Sequence, residues 1–370
     1  MRKLAFAILA GLLLSAQSPV LPGFPPGVFS NYAVYDPAAS ACETLGSICP
    51  NQYVNFSDGT AWSSAALQTV ASMITITRTT TNATNLLPTS ASGASYSTFG
   101  AGVLPITSGL GILVEEARNN SLLNSTVPAT QTTGSLANGT YTLWVNGSGS
   151  AVMSPGTATG CGVGTATNGS PVNFTTSGAA GTCIVTVVGS LNAFQLELGA
   201  YGTSLIVTAG ATGTRNAANV TWTFATGFVG SGGWLSVQGQ LRGVANVNYL
   251  EGPGPTGATI TTGTGGTTVR MINRNGATSA NRGDNGGNGP TISNGVSFKS
   301  AMYWNGTNTP LYSVNNTTVA TSTTTTENDW STSAKLGSRG GSSLFCNCYI
   351  ALVAYGTNVL NQTQANAVTQ

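Results

Sequence analysis

Short stretches of alternating apolar and polar residues recur along this chain, and they constrain its fold more than any other feature. Tyr141, Leu143 and Val145 alternate with Thr142 and Trp144; Val220, Trp222 and Phe224 alternate with Thr221 and Thr223. A period of two places each set on one face of an extended strand. Cys183–Val188, Ala193–Leu198, Thr203–Thr208, Phe298–Trp304, Leu311–Val314, Lys335–Ser338 and Tyr349–Tyr355 read as further strands, because β-branched and aromatic residues suit a pleated surface. The Gly, Asn and Ser between them favour turns. Helical spacing is convincing only in Trp62–Ile76, where Leu67, Val70, Ala71 and Ile74 fall in step. Strand-like Ile74–Thr80 follows, so this helix should end near Met73. The expectation is an all-β protein: two tandem antiparallel β-sandwiches after a mixed N-terminal region.

At 370 residues the chain can form two or three domains with real cores. Its N-terminus reads as a signal peptide over residues 1–18. Arg2 and Lys3 supply the positive end, Leu4–Leu14 the apolar run, and small residues around Ser15–Ser18 the cleavage region. That apolar run is too short to span a bilayer, so no stable membrane insertion is expected. A proline-rich stretch follows, with Pro19, Pro22, Pro25 and Pro26, and cannot be regular helix. Without Arg2 and Lys3, the twelve basic residues fall to ten and match the ten acidic ones. A nucleic-acid partner requires concentrated positive charge, and none is present. Uncharged partners such as glycans fit better.

Six cysteines in an exported chain suggest disulfides. Cys42 with Cys49 would close a short loop, and Cys161 with Cys183 would tie two segments of one sandwich. Cys346 and Cys348 lie two apart in a predicted strand and share a face, where a mutual bond would strain extended backbone. They read as buried thiols or as partners of other cysteines.

Gly109–Asn120 reads Gly-Leu-Gly-Ile-Leu-Val-Glu-Glu-Ala-Arg-Asn-Asn, a tight cluster of charge in a chain only 6% charged. It resembles a junction of bacteriophage tail and head-spike fibre proteins, where "Gly-Leu-Leu-Val-Glu-Glu-Ala-Arg-Thr-Asn" precedes one or two glycan-binding-type β-sandwiches. Gln195-Leu196-Glu197-Leu198-Gly199, with Thr203-Ser204-Leu205-Ile206 after it, resembles the last strand pair of family-4/9-type carbohydrate-binding jelly rolls in phage proteins. Leu205 stands where Tyr is usual. Leu336-Gly337-Ser338, Tyr349–Tyr355 and Leu360–Ala367 resemble the end of a concanavalin A-like, laminin-G-like domain, with its closing helix and with Cys348 in place of glycine. The parts implied are an N-terminal region and junction over 19–118, a jelly roll over 119–215, and a concanavalin A-like sandwich over 216–370. The resemblance implies a non-catalytic glycan-binding or adhesion protein that recognises surface polysaccharide and is secreted or on a virion surface. A homotrimer is expected from fibre proteins in general. A purely structural fibre subunit and a polysaccharide-degrading enzyme are the alternatives.

Catalysis is hard to build from these residues. The chain has no His, the commonest general base. Glycosidases need two carboxylates at a set separation. Glu115 and Glu116 are sequence neighbours, which point to opposite faces in a strand, and Glu327 and Asp329 lie in a Thr/Asn-rich stretch without a supporting pattern. Glycan binding instead needs an aromatic platform with amide and hydroxyl partners. Trp144, Trp234, Trp304 and Trp330 are the candidates. Trp144 and Trp234 lie opposite the core-facing sets, and packing against a neighbouring domain or subunit competes with a platform role; Trp222 reads as core. Asp284, Asn285 and Asn288 supply oxygens of the kind Ca²⁺ takes, but with a single carboxylate, so no cofactor is expected. Glu197 reads as a structural acid paired with backbone or an Arg.

Overall fold

The computed structural model describes residues 48–224, apart from 64–65, 82, 108 and 163, and residues 228–370, apart from 230–232, 243–247, 252–258, 263–268, 275–281, 285–289, 305–310, 320–328, 331–332 and 339–344. The expected signal peptide, the proline-rich stretch and Cys42 lie outside the described residues. The chain is nearly all β, as expected, and its sheets are antiparallel.

Two sheets sandwich the larger core. One has Gly233–Leu241 between Ser297–Trp304 and Cys348–Gly356. The other has Ser333–Leu336 between Asn219–Thr223 and Asn248–Glu251. Alternation does what it predicts here: Val220, Trp222 and Phe224 all enter the core, beside Val237, Leu336 and Tyr355. Trp222 lies edge-on to Phe224, with ring centroids 4.9 Å apart. The closing helix is Gln362–Val368, capped by Asn361, whose side chain accepts from the Gln364 amide. It packs Ala365 and Val368 against Trp234, Tyr303 and Leu352 on the outer face of the first sheet.

Strands from the predicted N-terminal region belong to these same sheets. Gln52–Asn55 and Gly111–Val114 both pair with Cys348–Gly356, and Ile74–Thr77 pairs with Asn219–Thr223. The segment between Arg118 and Arg215 leaves this sandwich and returns to it. It carries its own core of Leu122, Tyr141, Leu143, Val145, Phe174, Val185, Phe194 and Leu196, between the sheet of Val172–Thr176, Gly139–Gly147 and Leu191–Leu198 and the sheet built on Ser150–Pro155 and Cys183–Val188. The Cys161–Cys183 disulfide forms within it. Cys49 is disulfide-bonded as well.

Three local expectations are corrected. The helix expected from Trp62 is a single turn, Val70–Met73; Trp62 and Leu67 are instead partners across two short strands. Tertiary pairing overrides the apolar spacing, since a short helix gains little by itself. Thr203–Thr208 is not a ladder strand: only Ile206 forms an isolated bridge, to Ala83. Cys346 and Cys348 are bonded to each other. Extended backbone was the wrong premise there, because Asn347 adopts φ +39°. This turns the chain before the strand begins at Cys348 and brings the two Cα atoms to 5.0 Å, within the usual disulfide range.

Candidate functional site

The two ends of the inserted sandwich meet in a neck. Arg118–Asn120 and Gly213–Arg215 form an antiparallel ribbon in which Arg118 faces Arg215, Asn119 faces Thr214 and Asn120 faces Gly213. The junction charges seen in the sequence are the fittings of this neck. Gly111–Val114 is fully buried and delivers Glu115 into the interior. The Glu115 carboxylate accepts from the Ser204 amide at 2.7 Å and its hydroxyl at 2.6 Å, and pairs with Arg215 at 3.1 Å. Arg215 also donates to the Ser204 carbonyl and hydroxyl and to the Glu116 carbonyl. Arg78 lies close by and donates to the Phe99 and Gly100 carbonyls; burial first, then Arg215, lowers its pKa to about 10.

Glu116 faces outward and binds the Arg118 guanidinium through Nε at 3.0 Å and Nη2 at 2.5 Å, and the Tyr201 hydroxyl donates to the same carboxylate. Arg118 lies 4.9 Å from the Tyr201 ring centroid. Burial opposes its charge, but Glu116, Glu197 and Tyr201 outweigh that and hold its pKa above the ordinary value. The guanidinium rests directly on Gly199, where a Cβ would come within 1.8 Å of Nη1 and where φ is +136°. Only glycine meets both conditions.

Glu197 is the second interior carboxylate and is fully buried. It accepts from the Thr203 amide at 2.7 Å, the Thr203 hydroxyl at 2.6 Å, Gln195 Nε2 at 2.9 Å and Trp144 Nε1 at 3.3 Å. Burial raises its pKa, against the lowering by Thr203, Arg118 and Arg215. The structural role read from the sequence for Glu197 matches this setting.

Above the Arg118–Glu116 pair lies an open groove of about 630 Å³, lined by Glu116, Ala117, Arg118, Asn119, Thr140, Leu198, Gly199 and Thr214. Ala117, Asn119, Leu198 and Thr214 are exposed. Thr140 shares a hydroxyl–hydroxyl bond of 3.1 Å with Thr175. Sequence reasoning reached the neck charges but not Asn119, Thr140, Leu198 or Thr214. Their signal exists only in the register of strands far apart in the chain.

Two of the four candidate tryptophans are not platforms. Trp144 is 1% exposed and packs against Leu86, Ala193 and Leu205, because residues 83–96 fold over that face; the side-chain amides of Asn146 and Asn168 hold them by donating to the Ala91 and Ser90 carbonyls. Trp234 is fully buried beneath the closing helix, and its Nε1 donates to Asn358 at 3.0 Å. Packing within the chain claims both. The side chains of Trp304 and Trp330 lie outside the described residues, as do Asn285, Asn288 and the side chain of Asp284. Among the described residues no group of three His, Cys, Asp or Glu could hold a metal, and no helix is long and apolar enough to cross a membrane.

No family model matches the sequence, and no curated protein does. Among solved structures, the Ruminococcus gnavus IT-sialidase CBM40 bound to α2,3-sialyllactose is 17% identical over 38% of this chain and 83% of its own, with a TM-score of 0.29. The Trypanosoma rangeli sialidase in complex with DANA is 11% identical over 40% of this chain, which spans 25% of that enzyme, with a TM-score of 0.31. The binding domain of botulinum neurotoxin DC in complex with rat synaptotagmin II is 11% identical over 41% of this chain and 39% of its own, with a TM-score of 0.30. Likenesses at this level carry no conclusion about what this chain does.

Proposed function

We propose that this chain is a non-catalytic glycan-binding adhesion protein of the phage-fibre type, secreted or carried on a virion surface, that recognises cell-surface polysaccharide. The observation that carries the reading is the open groove at the neck, whose one cation is compensated by Glu116 and whose exposed rim is amide, hydroxyl and aliphatic. Such a surface suits a ligand that is itself polar at its edges and apolar on its faces. The balanced charge of the chain without Arg2 and Lys3 and the junction resemblance support it. The non-catalytic part is supported by Glu115, Glu116 and Glu197, which are each taken up by protein donors. A glycan array carrying bacterial capsule and lipopolysaccharide fragments tests the reading: binding to a subset is expected, and a blank array overturns it. Reducing-sugar release from a bound polysaccharide would overturn the non-catalytic part. Homotrimer assembly belongs to the same proposal, and light scattering of the purified protein checks it.

A second reading, a purely structural fibre subunit, is favoured by a separate observation. The neck is wired internally by the Glu115–Arg215 pair, as a joint that transmits load would be. A variant that abolishes all array binding while virions carrying it still adsorb to host cells would decide for it.

A further inference from the structure

Within the neck groove, we infer that the chain binds an uncharged saccharide unit, held by Asn119 and Thr214 and stacked through its apolar face on Leu198 and Ala117. This rests on the glycan-binding reading and adds the place and the ligand class. The ribbon register sets Asn119 directly opposite Thr214, so an amide and a hydroxyl stand side by side at the groove rim. Both residues are exposed, and no hydrogen bond within the chain takes up either side chain among the described residues. A carboxamide both donates and accepts, and so does a hydroxyl, which is the pairing that adjacent sugar hydroxyls require. Leu198 is 48% exposed, a large aliphatic surface left open beside those polar groups.

Charge decides the ligand class. Arg118 is the groove's cation, and Glu116 neutralises it at hydrogen-bond distance. An acidic sugar brought to Arg118 would meet the Glu116 carboxylate at the same time, and its attraction would be largely cancelled. A neutral sugar meets no such opposition. The guanidinium is also fixed before any ligand arrives, by Glu116 on one side, the Tyr201 ring on another and Gly199 beneath. A preorganised floor loses little conformational freedom on binding. The sheet face around Trp144 is closed by residues 83–96.

Calorimetric titration of the whole chain tests this, with neutral gluco-, galacto- and rhamno-oligosaccharides set against counterparts bearing uronic or sialic acid. Neutral ligands should bind and their acidic counterparts should bind more weakly. Asn119→Ala and Thr214→Val should each weaken binding roughly three- to tenfold. Ala117→Lys, which fills the groove from an exposed position, should abolish it. Val359→Ala, on the other sandwich, should change nothing, and the melting temperatures of all four variants should stay at the parent value. Unchanged affinity in the three groove variants would overturn the site while leaving glycan binding standing. Preference for acidic sugars would overturn the ligand class. Failure of every oligosaccharide, here and on the array, would bring down the glycan-binding reading and this inference with it.

Discussion

Two buried glutamates bind adjacent residues, Glu115 at Ser204 and Glu197 at Thr203, yet they answer to different physics. Glu115 has a cation, Arg215, at 3.1 Å, and removing one partner of a buried pair leaves an uncompensated charge. Glu115→Gln should therefore destabilise the chain by about 3 kcal/mol, read as a lower midpoint in urea unfolding. Glu197 has polar donors around it and no direct ion pair; burial raises its pKa. The folded chain thus holds the Glu197 proton to higher pH than the unfolded chain does. Its contribution to stability is present in full below the unfolded carboxylate range and is lost as pH rises through the folded value. Glu197→Gln mimics the protonated form and keeps the acceptor for the Thr203 amide. The variant should match the parent near pH 4 and melt higher than the parent at pH 8, and a lower melting temperature at pH 8 would refute this account. Of these two residues, the sequence showed Glu197 as a structural acid. It could not show Arg215 as Glu115's partner, because the two lie a whole domain apart.

At the scale of elements, ladder strands were legible and the side-chain-held strand was not. Cys183–Val188 and Leu311–Val314 form where alternation and β-branching predicted them. Thr203–Thr208 has the same local chemistry, but its amides go elsewhere: Thr203 to Glu197, Ser204 to Glu115, Leu205 to the Leu86 carbonyl, Ile206 to the Gln195 side chain and Thr208 to Ser125 Oγ. Buried backbone must find partners, and here buried side chains supply most of them. Period-two reasoning cannot see such a substitution. Gln195→Ala should accordingly loosen residues 204–206, measured as faster amide exchange at Ile206 with little change in Leu311–Val314. The Cys161–Cys183 bond is local by contrast, closing 22 residues. Replacing both cysteines with Ala should lower stability by about 3 kcal/mol in the inserted sandwich.

Across the whole molecule, the sandwich pair was legible as two hydrophobic patterns, and its order along the chain was not. Nothing local in Gln52–Asn55 or Ile74–Thr77 says that they complete sheets made from residues beyond 216. Only the tertiary pairing shows that one sandwich is threaded through the other. Because the insert has its own core and disulfide, the chain ending at residue 347 should lose the thermal transition of the outer sandwich and keep that of the insert.

The pairing of Gln52–Asn55 and Gly111–Val114 with Cys348–Gly356 also fixes a sequence of events at synthesis. Loop closure over such a span is slow, and the last strand is the final one to be made. The inserted sandwich can finish while the outer one still waits, with Gln52–Asn55 paired only to Thr60–Ser63 and Gly111–Val114 only to Ile106–Thr107. During that interval the exposed edges of Gln52–Asn55 and Gly111–Val114 are available to any other nascent copy. Crowding during synthesis would therefore favour exchange of the C-terminal strand between chains, and would yield interlocked copies rather than unfolded ones.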